Sequence, residues 1–201
     1  MNNCFRKFEW PNFDSIQEKL VPLILGFYKK RKKENLNLFN RFTDEEFEQI
    51  NKVVPEFVLS IEKNLRSKIQ WIRMIYLDEN FPKGFAHTDV NKEDCAEGLE
   101  DYFFRLNWPI LNPDSFETVF FDPNGSKPIW NEQYRAHIYK NDRMIRLHSF
   151  VADKPVLMNV RRIHGIYQIK SPTPRILLSV RLNNSSNQFL KDLATGIEDI
   201  G

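Results

Sequence analysis

Ala86-His87-Thr88-Asp89 stands a short way beyond an alternating, β-rich run, Ile69-Gln70-Trp71-Ile72-Arg73-Met74-Ile75-Tyr76-Leu77. Between them lies Asp78-Glu79-Asn80-Phe81-Pro82-Lys83-Gly84, which is turn chemistry. The run reads as a strand, and the turn residues deliver His87 onto a strand edge or loop at the rim of a sheet. In extended backbone side chains alternate between faces, so His87 and Asp89 project to one side and can share a single ion. One more neutral imidazole would complete a 2-His-1-carboxylate set, which leaves open positions on Fe(II). Three other histidines, His137, His148 and His164, are available to supply it, and we take His164. Taken alone, His-x-Asp is a short pattern that recurs by chance; its place behind a strand and a turn gives it weight.

Downstream of this stretch the chain reads as short strands: Phe103 to Ile110, Thr118 to Asp122, Arg146 to Val151, Val156 to Val160, His164 to Ile169 and Ile176 to Leu182. They are punctuated by Pro113-Asp114-Ser115, Pro123-Asn124-Gly125, Asp153-Lys154-Pro155 and Ser171-Pro172-Thr173-Pro174, all turn formers. Many short strands so divided imply a sandwich or jelly roll. A polar segment from Asn183 and a short helix from Gln188 follow.

Upstream the pattern is helical. Ser15-Ile16-Gln17-Glu18-Lys19-Leu20 opens a helix that we expect Asp14 to cap and Pro22 to kink or restart. The run Lys29-Lys30-Arg31-Lys32-Lys33 fits a solvated helix C-terminus, which the helix dipole favours, better than a phosphate contact. Thr43-Asp44-Glu45-Glu46 is a capping box, and Pro55 suits the first turn of a further helix. Phe47, Phe57 and Ile61 are expected to face a sheet. The expected fold is therefore mainly β with flanking α (α+β), a jelly roll with N-terminal helices packed on one sheet. We expect one domain over 1–201, with helical support over 1–68, a β core over 69–182 and a C-terminal tail over 183–201.

With 201 residues, 41% hydrophobic and 17 Phe, the chain can bury one substantial core and is not of disordered composition. Its 29 basic and 27 acidic residues nearly cancel, so the net charge says little about partners; a nucleic acid partner is not expected. Cys4 and Cys95 are far apart and form no Cys-x-x-Cys, the N-terminus lacks a signal-peptide pattern, and no run of about 18 apolar residues occurs. The expectation is a cytoplasmic protein without a membrane partner.

The order His87-Thr88-Asp89, then His164, then Arg175 in Arg175-Ile176-Leu177-Leu178-Ser179-Val180-Arg181 resembles the 2-oxoglutarate/Fe(II)-dependent dioxygenase superfamily. Phe104 to Ile110 is similar to the strand after the metal dyad in that superfamily, and Pro155 to Asn159 to the approach to its distal His. The resemblance covers about Trp71 to Leu182. It implies a double-stranded β-helix (cupin-like), Fe(II) on His87, Asp89 and His164 as the catalytic centre, and 2-oxoglutarate as co-substrate held by Arg175. Asn107 is implied as a donor to 2-oxoglutarate, with Arg105 on the same strand face. His148 is set aside because no Arg stands at the matching interval beyond it. In one departure, the Ser or Thr that often stands two residues after the Arg is Leu177 here; Ser179, one step further on the same face, or Tyr76 or Tyr167, would have to replace it. Arg suits a buried carboxylate because its fork meets both oxygens and keeps its charge.

The activity implied is hydroxylation of a small-molecule or peptidyl substrate by molecular oxygen, with succinate and CO2 released. The alternatives are a cupin-like metalloprotein that does not use 2-oxoglutarate and a non-catalytic β-sandwich. Substrate contacts are expected from loops at the barrel mouth, Asn91 to Gly98 and Asn124 to Tyr139, including Trp130 and Tyr134.

Overall fold

The computed structural model describes residues 4–34, 41–78, 86–89, 103–132, 136–140, 143–170, 174–183, 188–197 and 199–200. In chain order the elements are β1 (Phe5–Lys7), α1 (Phe13–Lys33), α2 (Asp44–Val53), α3 (Pro55–Asn64), β2 (Ile69–Leu77), β3 (Ala86–Thr88), β4 (Phe104–Leu111), β5 (Phe116–Asp122) and β6 (Ile129–Asn131). They continue with β7 (Ala136–Tyr139), β8 (Ile145–Val151), β9 (Val156–Asn159), β10 (His164–Gln168), β11 (Arg175–Leu182) and α4 (Gln188–Thr195). The strands form a five-stranded sheet, ordered β1-β9-β4-β11-β2, and a six-stranded sheet, ordered β6-β7-β3-β10-β5-β8. This is a jelly roll of mostly antiparallel strands with helices against one sheet.

Alternation gives the five-stranded sheet two unlike faces. Ile72 and Met74, Leu106 and Trp108, and Ile176, Leu178, Val180 and Leu182 enter a core shared with Leu20, Ile24, Ile50, Phe57 and Ile61 of the helices. Phe57 meets Trp108 edge to face, centroids 5.1 Å apart at 89°. Gln17 ties α1 to β4, accepting from Trp108 Nε1 at 3.1 Å and donating to the Pro109 carbonyl at 2.8 Å. The intervening residues, Trp71 and Arg73, Arg105 and Asn107, and Arg175, Ser179 and Arg181, face the other way, toward the second sheet. A sheet face turned inward yet lined by Arg, Asn and Ser is built to hold something polar. A smaller apolar cluster, Val156 and Met158 with Phe120 and Phe150, closes the space between the sheets beside it.

Several local expectations are corrected. Helix α1 runs unbroken through Pro22, which sits on its exposed side, where water can reach the carbonyl freed by the missing N–H. Its N-cap is Asn12, in the left-handed region at φ 56°, while Asp14 lies in the first turn. The basic run is the last turn of α1, but Arg31 turns inward onto Glu46 at 2.5 Å. Phe57 and Ile61 are fully buried, whereas Phe47 packs on the same core only half-buried. The capping box at Thr43 and Glu46 forms in full. Phe5–Lys7 pairs with β9 as an edge strand, and the expected mouth loop from Asn124 to Tyr139 instead contains the antiparallel pair β6 and β7. Asn91 to Gly98, Tyr134 and Cys95 lie outside the described residues, as do Ser171 to Thr173. No described helix is long and apolar enough to cross a membrane.

Candidate metal centre

The six-stranded sheet places β10 between β3 and β5, with His164 directly opposite His87 and, on its other side, Phe120. Residues opposite one another in a ladder share a face, so both imidazoles point into the space between the sheets, with ring centroids 4.4 Å apart. Asp89 follows β3, anchored by its N–H to the Val160 carbonyl at 3.0 Å, and its Oδ1 lies 3.5 Å from His87 Nε2. One donor atom from each of His87, Asp89 and His164 falls within 4.8 Å of the others. Donors bound at about 2.1 Å on adjacent positions of an octahedral ion lie about 3 Å apart, so small side-chain rotations close the set on an ion.

The electrostatics suit a cation. His164 is 4% exposed; burial, and then the neighbouring His87, push its pKa down to about 4, so the ring is neutral near pH 7. Its Nδ1 lies 2.9 Å from the Arg162 carbonyl. A carbonyl only accepts, so Nδ1 carries the proton and the Nε2 lone pair is left for a metal. For Asp89, burial alone would raise the pKa, but Arg105, His87 and His164 overcome it and hold the carboxyl far below the usual range. Arg105 Nη1 reaches across from β4 and donates to Asp89 Oδ2 at 2.7 Å. That leaves Oδ1, on the His87 side, as a single ligand oxygen.

The competing histidines are elsewhere. His137 pairs with Thr88, so it lies on the opposite face from His87, against Trp130 at 4.9 Å. His148 is exposed on β8. Neither tyrosine can complete a co-substrate site: Tyr76 lies on the helix side, stacked on Tyr28 at 5.2 Å, and Tyr167 alternates away from His164 toward Phe121. Ser179 does lie on the inward face, buried, with Asn107 on one neighbouring strand and Arg73 on the other.

Arg175, at the start of β11, is 1% exposed, and its Nε and Nη1 have no hydrogen-bond partner among the described residues. Burial lowers its pKa to about 10, so it remains a cation. Asn107 Oδ1 is likewise unpartnered, while Nδ2 donates to Met158 Sδ at 2.9 Å. A buried guanidinium with idle donors fits a carboxylate ligand, and two imidazoles with one carboxylate fit a divalent metal. The pairing of Arg105 with Asp89 was missed in the sequence; its only trace there is that Arg105 and Asn107 share a strand face.

No family model matches the chain, and no curated protein matches it in sequence. Among solved structures it is similar to a prolyl-4-hydroxylase of Pseudomonas putida at 11% identity and TM-score 0.45, covering 90% of this chain and 92% of that one. A viral collagen prolyl hydroxylase from Paramecium Bursaria Chlorella virus-1 is similar at 15% identity and TM-score 0.44, covering 88% of each chain. HygX from Streptomyces hygroscopicus, solved with nickel and 2-oxoglutarate bound, is similar at 10% identity and TM-score 0.39, covering 79% of this chain and 77% of that one.

Proposed function

We propose that this protein is an Fe(II)- and 2-oxoglutarate-dependent oxygenase that hydroxylates a small-molecule or peptidyl substrate. The observation that carries the reading is Arg175, a buried cation with idle donors on the polar inner face that also bears Arg105, the partner of Asp89. A metalloprotein without a carboxylate co-substrate would have no use for it. Fe(II) and 2-oxoglutarate, when bound, would supply activation of O2 for a hydroxylation coupled to release of succinate and CO2.

The chain's own groups have separate tasks. His87 Nε2, Asp89 Oδ1 and His164 Nε2 would hold the ion. The Arg162 carbonyl fixes the His164 tautomer, and Arg105 fixes the Asp89 rotamer. Arg175 pairs with the distal carboxylate, and Ser179 and Asn107 stand on the same face to hydrogen-bond the co-substrate. The apolar cluster of Met158, Phe120 and Phe150 keeps water from that side of the cavity. The unit that does this is taken as a single domain, with residues 69–182 carrying the site and 1–68 supporting it. The cytoplasm is taken as its compartment, in keeping with two cysteines that stand far apart in the sequence and form no Cys-x-x-Cys.

Anaerobic titration of the Fe(II)-loaded protein with 2-oxoglutarate tests the reading. The weak metal-to-ligand charge-transfer band is expected in the wild type and is expected to require millimolar co-substrate or vanish in Arg175→Ala. Metal binding without any such band would mean a cupin-like metalloprotein.

A further inference from the structure

Trp71 lies on the inward face of β2, and four guanidinium groups surround its indole. Their central carbons stand 4.6 Å (Arg41), 5.2 Å (Arg105), 5.3 Å (Arg73) and 5.9 Å (Arg181) from the ring centroid. The fold imposes the gathering: Trp71, Arg181 and Arg105 are successive partners across β2, β11 and β4, and Arg73 follows Trp71 by two positions on the same face. Arg41 arrives separately, from the segment before α2, through a bridge to the backbone of Arg73 and the Phe42 N–H to Ile72 carbonyl bond at 2.9 Å.

This arrangement is costly unless something negative joins it. A guanidinium gains only modestly from an indole face, while like charges gathered round one ring repel one another. Burial, and then Arg105, push the Arg73 pKa down, with Asp89 opposing and Arg41 adding to the fall. Arg105 is matched by Asp89, but neither Arg41 nor Arg73 has a carboxylate partner among the described residues. The Nε atoms of Arg73 and Arg105 are buried without a hydrogen bond. Arg175 belongs to a different place: Arg181 lies six positions further along β11, about 20 Å of extended backbone.

We propose that Arg41, Arg73 and Arg105, set round Trp71 beside the metal ligand Asp89, bind the anionic group of the substrate, and that this group is a phosphate or an oxyanion of like charge on a small molecule. Donors arriving from three segments suit a tetrahedral oxyanion; a carboxylate would be satisfied by a single fork. Trp71 is already faced by arginines, so it is a platform for them and not a stacking surface for the substrate. The array converges on one indole, which suits a compact anion better than an extended polyanion. That the anion belongs to a substrate rests on the oxygenase reading; that it binds here does not.

The test is calorimetric titration of the full chain with inorganic phosphate and with pyrophosphate, with and without Mn(II), and with 2-oxoglutarate at saturation. Wild type is expected to bind pyrophosphate in all three states. Arg41→Gln, an exposed position where the fold is not at risk, and Arg73→Gln should each weaken it at least tenfold, and Arg175→Ala should not. The proposal is overturned by unchanged affinity in Arg41→Gln and Arg73→Gln, by binding that requires Mn(II), or by competition with 2-oxoglutarate that Arg175→Ala abolishes. Tighter, steeply salt-dependent binding of a single-stranded oligonucleotide would also overturn it, in favour of a polyanion. If instead Arg175→Ala leaves 2-oxoglutarate affinity untouched, the oxygenase reading fails while the phosphate result stands.

Discussion

His87 and His164, 77 positions apart, are direct partners on adjacent antiparallel strands, with their rings 4.4 Å apart. A backbone ladder therefore fixes two of the three candidate ligands before any ion arrives, and the tether from Asp89 N–H to the Val160 carbonyl fixes the third. Such a site loses little conformational freedom on binding metal, which favours affinity.

The first prediction separates ligation from stability at Asp89. Its Oδ2 takes the bond from Arg105, whose side chain is 13% exposed, so Asp89→Ala leaves a mostly buried charge uncompensated. The loss is expected to be about 1–3 kcal/mol, less than for a fully buried pair because water reaches both groups. Asp89→Asn keeps an acceptor for Arg105 and should hold the melting midpoint near wild type while Mn(II) affinity falls at least tenfold. Wild-type metal affinity in Asp89→Asn would remove this residue from the site.

The second concerns pH. The His164 pKa is lowered from 6.5 to about 4, so between these values the unfolded chain binds the extra proton and the folded chain does not. Stability of the metal-free protein should therefore fall as pH drops from 6.5 toward 4, by at most about 3 kcal/mol. Asp89, with its pKa depressed, acts in the same sense but only below the normal carboxylate range, since its contribution is present above that range and lost as pH falls through the folded value. Urea unfolding of wild type and His164→Gln from pH 7 to 4.5 checks this. A slope that survives unchanged in the variant would assign it to another group.

The long elements were readable because their periodicity is sustained. β2 matches its alternating run residue for residue, and β4, β5, β8, β9, β10 and β11 lie within two residues of the expected bounds. β1, β6 and β7 have only three or four residues; β1 pairs with β9 from far along the chain, while β6 and β7 pair with each other inside a segment that reads as a loop. Pro22 misled because a proline on the exposed side of a helix leaves its freed carbonyl to water, and here the helix runs on through it. His87, Asp89, His164 and Arg175 were found through order and spacing. Arg41 and Arg73 were not, because what makes Arg41 notable is a bridge to β2 that no local pattern encodes.

A third prediction concerns the helical layer. Phe57 is fully buried, edge-on to Trp108, on the side of the five-stranded sheet away from the metal centre. Phe57→Ala should cost about 3–5 kcal/mol in denaturant unfolding. Mn(II) affinity per folded molecule should stay at the wild-type value, since Trp108 and the inward residues Arg105 and Asn107 face opposite sides of β4. Loss of metal affinity at full folding would mean that the helices position the site.

Arg175 sets a trade between stability and function. A buried polar group without a partner costs about 1–3 kcal/mol, more for a charge, and Arg175 carries two such nitrogens with its pKa lowered by burial to about 10. Replacing a buried ionic group by an apolar one of similar volume is often neutral or stabilising. Arg175→Met should therefore raise the melting midpoint of the metal-free protein, while 2-oxoglutarate with Mn(II) stabilises wild type and no longer stabilises the variant. The second effect follows because the distal carboxylate would be buried without its cation, a loss of about 2–5 kcal/mol in binding. Two melting curves per protein, with and without Mn(II) plus 2-oxoglutarate, are enough. A variant less stable than wild type in the metal-free state would mean that Arg175 serves the fold. A variant still stabilised by 2-oxoglutarate would mean that the carboxylate is held elsewhere.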